Sequence, residues 1–167
     1  MASTITASTL KVTIREDIKL NGVDQGGVNT LSIGSINEVY KRIVTCPANS
    51  ETTLAHFHSS VADGTLAPLD IDDVKYIRVT NLDASTNATL SLQSDVGEDD
   101  SAADESASLL IEAGKSFIMG SPNDGIGISD ANANLVTDLV DLESLVVFTG
   151  GSAVDIEIFV ASAWQLL

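Results

Sequence analysis

The sequence predicts an all-β protein: a single antiparallel β-sandwich of jelly-roll type behind a short polar N-terminal arm. Three observations predict it. Apolar and polar side chains alternate at period two along several short runs, the mark of strands with one buried and one wet face. Turn-forming Gly, Pro, Asn and Asp recur about every ten residues. No run carries the i, i+3, i+4, i+7 spacing of a convincing amphipathic helix. Together they give about eight to ten short strands, which favours a sandwich or jelly roll over α/β folds. No internal repeat is evident, so neither a propeller nor a solenoid is indicated.

The arm takes residues 1–9, MASTITAST, and the sandwich domain takes 10–167. From Leu10 to Leu20, Leu10, Val12, Ile14, Ile18 and Leu20 share one parity while Lys11, Thr13, Arg15 and Lys19 take the other, so one face is expected to be buried. Residues 21–35 read as loop, with turns at Asn21-Gly22 and Gly26-Gly27 and a short apolar pair at Leu31 and Ile33. EVYKRIVTC and ETTLAHFH form the next two strands, separated by PANS; the β-branched residues between Val39 and Thr45 favour the extended form over a helical turn.

YIRVTNLDASTNATLSLQ, residues 76–93, then reads as two strands joined by a five-residue hairpin loop, DASTN. Ile77 and Val79, with Ala88, Leu90 and Leu92, are its expected core residues. Beyond it lies an acidic loop at 94–106, with no apolar anchor. SLLIEAGKSFIM turns at Gly114; 120–134, rich in Gly, Ser, Asn and Asp, is expected to be irregular; LVTDLVDLES fits helix and strand equally. LVVFT, the turn GGSA and VDIEIFVAS close the chain, and Val154, Ile156, Ile158 and Val160 alternate with Asp155 and Glu157 as the clearest strand in the sequence.

Composition excludes more than it asserts. A chain of 167 residues can bury enough surface to fold without staples, and its single Cys46 offers neither a bridge nor a zinc pattern. No secretory leader and no membrane-length apolar run is visible, so the chain reads as soluble and unprocessed. The net charge is −16, from 24 acids against 8 bases, and it is uneven: −2 over residues 1–78 and −14 over 79–167, where Lys115 is the only base. Such a surface repels DNA and RNA. It suits a solvated, self-repelling exterior, or a face that meets a basic partner or divalent cations.

The chemistry-bearing patterns are few. His56 and His58 lie two apart on a strand and so on one face, a workable geometry for two imidazoles on one metal, with a third ligand to be found among the acids. EAGKSF resembles the end of a phosphate-binding loop, but Leu109 stands where that motif needs glycine, and Gly114-Lys115 is better read as a turn. Asp130, Asn132, Asn134, Asp138 and Asp141 fit a calcium-loop register, yet Leu135 occupies the position that demands glycine; low-affinity calcium in the acidic loops stays open. No GxSxG elbow is present, and no carboxylate pair lies beside clustered aromatics, of which the chain has seven, Trp164 among them. Accordingly no catalytic, cofactor-binding or metal-ligating residue is assigned.

The runs INEVYKRIVTCPANSETTLAHF, DIDDVKYIRVTNLDASTNATLSL, SLLIEAGKSFIM and VDIEIFVAS, in that order from about Leu10 to Ser162, resemble small virion structural proteins of tailed bacteriophages of marine bacteria and cyanobacteria. The resemblance implies a non-enzymatic, cofactor-free, acidic β-sandwich of the capsid cement or decoration type. Such a protein is made in the host bacterial cytoplasm and sits on the capsid surface of the virion as a homo-oligomer, often a trimer at the symmetry axes of the head. It binds the major capsid protein and has neither nucleic acid nor membrane as partner. On that reading the near-neutral N-terminal third makes the capsid or subunit contacts, adding a strand to a neighbour's sheet edge, and the acidic remainder faces solvent. Two other readings compete: a tail, neck or fibre component of the virion, and a metal-binding jelly-roll enzyme using His56 and His58.

Overall fold

Period two is the organising signal, and the computed structural model, described for residues 6–58, 69–94, 105–120, 126–128 and 139–163, shows how it is used. The chain runs through β1 (Ser8–Glu16), β2 (Lys19–Leu20), β3 (Val23–Asp24), β4 (Gly27–Ile36), β5 (Glu38–Cys46), β6 (Glu51–His58) and β7 (Leu69–Asp70). After one 3-10 turn at Ile71–Asp73 come β8 (Val74–Asn81), β9 (Ala88–Ser94), β10 (Glu105–Ile111), β11 (Ser116–Gly120), β12 (Gly127–Ile128), β13 (Val140–Asp141), β14 (Ser144–Thr149) and β15 (Val154–Ser162).

Two sheets make the sandwich. One has the order β11-β8-β15-β5 and the other β10-β9-β14-β6-β7. Every pair joined by a short connection, β5–β6, β8–β9, β10–β11 and β14–β15, is split between the sheets, and the two orders match strand for strand. This is the jelly-roll arrangement: eight strands, two facing four-strand layers, with two-residue β7 added in parallel beside β6.

The expected hairpin at 76–93 is therefore an arch from sheet to sheet, and the same holds for the PANS and Gly114 turns. Alternation cannot distinguish the two. Ile77 and Val79 would share a face with Leu90 and Leu92 in a hairpin; in the sandwich the two pairs enter the core from opposite walls. All four are buried, so the core assignment stands while the pairing changes.

Asn81 explains why this connection arches. Its backbone N–H donates to Lys115 O at 3.0 Å, and its fully buried side-chain amide donates to Thr86 O at 2.8 Å and Ile111 O at 3.2 Å. Its Oδ1 accepts from Asp83 N at 3.0 Å. Asp83 Oδ1 then accepts from the backbone of Ser85 and Thr86, at 2.8 and 2.7 Å, which folds the loop back on itself and holds the carboxyl below the usual carboxylate range. One amide thus ties the ends of strands from both sheets.

The core is aliphatic. Ile77, Val79, Ile156, Ile158 and Val160 from one sheet meet Leu90, Leu145, Val147 and Phe57 from the other, with Ile71 and Leu142 closing the ends. The run LVTDLVDLES resolves in its described part as β13, the buried Leu142 and the start of β14. Within the stretch expected to be irregular, Gly127–Ile128 pairs with Val140–Asp141 and Ile126 is buried; Val140 lies opposite Ile128, which makes a short ladder possible in spite of the glycine.

The largest departure lies in residues 8–36. β1 and β4 pair antiparallel from Ser8–Ile36 to Glu16–Gly27 and form a separate two-stranded ribbon outside both sandwich sheets. Residues 27–36 are a strand where a loop was expected, because β4 is mostly polar and wet, so its pattern carries little burial signal. Only the base of the ribbon is covered: Leu10, Val12, Leu31, Ile33 and Ile36 pack with Tyr76, Phe159 and Ala161 on the outer face of the four-stranded sheet, a second small core. The buried face expected along Leu10–Leu20 ends there, and Ile14, Ile18 and Leu20 are exposed.

Candidate functional site

The residues with conventional chemistry are dispersed. His56 projects outward from β6, with Nε2 3.1 Å from Glu143 Oε1. His58 ends the same strand in register with Asp70, and its side chain lies outside the described residues. Among the described residues, no three His, Cys, Asp or Glu side chains gather as metal ligands would. Cys46 is buried, and desolvation pushes its thiol pKa up, away from nucleophilic chemistry.

Gly114, at φ 70°, and Lys115 form a turn closed by Lys115 N–H on Glu112 O at 3.0 Å. In the calcium-loop register, Asp141 sits on β13, whereas Asp130, Asn132, Asn134 and Asp138 lie outside the described residues, as do Trp164 and positions 95–104 of the acidic loop.

The organised surface is the outer face of the four-stranded sheet. Arg78 on β8 donates from Nη2 to Glu157 Oε1 and from Nη1 to Thr80 Oγ1, both at 2.5 Å, with its guanidinium 6.0 Å from the Phe159 ring centroid. Lys41 Nζ on β5 lies 3.2 Å from Glu157 Oε2. Glu157 is mostly sheltered and bonded through both oxygens. Arg78 first, then Lys41, hold its carboxyl below the usual range. Isolated surface pairs contribute about 0–1 kcal/mol; here three strands are cross-linked at one carboxylate, which stiffens the face beside the seat of the ribbon.

Charge separates along the same line. The strands of the four-stranded sheet carry Lys41, Arg42, Lys75 and Arg78 against Glu38, Asp155 and Glu157. The strands of the five-stranded sheet carry Glu51, Asp70 and Glu105 with no Lys or Arg. The ribbon balances Lys11, Arg15 and Lys19 against Glu16, Asp17 and Asp24, so the whole net charge of −16 belongs to residues 37–167.

The far end of the ribbon is its most unusual part. Asn21 and Gly22, at φ 51° and 82°, make a two-residue turn of the type that matches strand twist. The ladder below it pairs Leu20 with Val23 and Lys19 with Asp24, and Gln25 N–H reaches Ile18 O at 2.9 Å. Ile18, Leu20 and Val23 therefore share one face and are 47, 57 and 57% exposed. Where this ladder meets β1 and β4 the chains crowd: a Cβ on Gly26 would lie 2.2 Å from Glu16 O, so only glycine fits.

Sequence reasoning placed contact-making in the N-terminal third, but as a single strand with a buried face. The signal that could have found the tip is Asn21-Gly22 between Leu20 and Val23, the strongest short-range hairpin pattern. No protein-family model and no curated protein matches the chain.

Proposed function

We propose that this chain is a non-enzymatic virion structural protein, a capsid cement or decoration protein that binds the major capsid protein of a tailed bacteriophage and stabilises the head. The observation that carries the reading is the ribbon. A two-stranded ribbon alone is marginal in water, yet this one keeps an apolar face in solvent and is anchored at its base by a dedicated small core. A rigid acidic body bearing a neutral, sticky extension is built to join subunits. The extension supplies capsid or subunit contacts, and the body, whose charge discourages nucleic acid, faces outward.

The test uses phage heads stripped of accessory proteins. The full chain should bind them saturably and raise their resistance to heat-induced DNA release. A variant lacking residues 17–25, with Glu16 joined to Gly26, keeps the small core and leaves Gly26-Gly27 as the turn; it should fold but fail to saturate heads. Failure of the full chain to bind heads, or its localisation by imaging to tails or fibres, refutes the head assignment.

A further inference from the structure

We infer that the ribbon tip is a self-association site: the face of Ile18, Leu20 and Val23 packs against the same face of a second copy of this chain. The inference rests on the reading of the ribbon as the contact element and names its first partner.

Charge selects that partner. Any approach of one body to another brings together two surfaces that each hold the full −16, so like charges meet wherever the bodies touch. The ribbon is the exception. Its three cations and three anions alternate along a short segment, Arg15 beside Glu16 and Asp17, and Lys19 opposite Asp24. A ribbon meeting its own copy across a two-fold axis finds opposite charges beside a matching apolar face, the self-complementarity that an isologous contact requires.

Length makes the contact possible. Burial of the ribbon ends at Val12 and Leu31, and every residue from Thr13 to Thr30 is exposed. From Thr13 to Asn21 is eight residues, about 26 Å at roughly 3.3 Å each. That is about three Debye lengths at physiological salt, where screening works over about 8 Å. Joined tip to tip, the two acidic bodies stand beyond each other's unscreened field, and three exposed apolar side chains per copy leave water. The same geometry accounts for an apolar face on an otherwise highly charged chain.

The experiment uses the full chain alone, with no phage component. Sedimentation should show a concentration-dependent dimer. The double variant Leu20→Ser, Val23→Ser, which keeps the turn and the ladder, should weaken it by at least about 30-fold without lowering the unfolding temperature of the body. Salt is the second readout. Raising ionic strength from roughly 50 to 500 mM should change the tip contact by less than about threefold, whereas a body-to-body contact would strengthen by tenfold or more as repulsion is screened. Third, Leu20→Cys should oxidise to a linked dimer, and Ile43→Cys, on the exposed sheet face, should not.

A monomer at about 100 μM, a dimer that survives the double variant, or one that strengthens steeply with salt overturns the inference. A monomeric chain that nevertheless needs its tip to bind heads overturns the second copy as partner and leaves the cement reading standing. A tip-dependent dimer that ignores heads does the reverse.

Discussion

Asn81 concentrates more of the fold in one side chain than any other polar residue. Replacing it with aspartate keeps the acceptor for Asp83 N–H and removes both donors, to Thr86 O and Ile111 O. Each lost bond contributes about 1 kcal/mol net, and each buried carbonyl left without a donor costs about 1–3 kcal/mol, so the variant should lose about 3–5 kcal/mol at pH 7. For a chain of this size that is a fall of about 6–20 °C in Tm.

The loss should depend on pH with a definite sign. The introduced carboxylate, buried and facing carbonyl oxygens, has its folded pKa raised above the unfolded value of about 3.9. Between those two values the native chain holds a proton that the unfolded chain has released. Stability relative to wild type therefore falls as pH rises through that window and is flat above it. Urea titrations of both chains between about pH 4 and 8 measure this directly. A deficit below about 1 kcal/mol, or one that does not shrink at acid pH, would show that the amide does not tie the sheets as argued.

The ion network and the ribbon give two further expected outcomes. Glu157 and Asp83 both have depressed pKa values, so their contributions are complete above the unfolded carboxylate range and are lost as pH falls through the folded values; Glu157→Gln should lower stability at pH 7 by about 1 kcal/mol and flatten the acid limb of a pH–stability curve. Gly26→Ala, whose Cβ meets Glu16 O, should abolish amide-exchange protection at Gln25 and in β2 and β3 while moving the Tm of the sandwich by less than about 2 °C.

How far the fold was legible can be read from particular residues. β15 and the core positions Ile77, Val79, Leu90 and Leu92 emerged from alternation alone, because a strand with one buried face has no other way to place its side chains. Strand pairing was not legible. A hairpin and a sheet-to-sheet arch impose the same parity, and Asn81 looks like ordinary turn chemistry until its two acceptors are seen. The tip was missed for a related reason. Residues 21–35 are too polar to read as strand by burial, and their strand character comes from backbone pairing with β1.

Side-chain type and parity were enough to establish an all-β chain, its core face, its turns and an acidic charge concentrated beyond the N-terminal third, since none of these depends on which strands pair. The interleaving of the strands as a jelly roll, and the departure of residues 8–36 as a ribbon with an apolar tip, became visible in the tertiary structure alone. Those features are set by which strand edges find each other across the chain, and period-two patterning carries no record of partners.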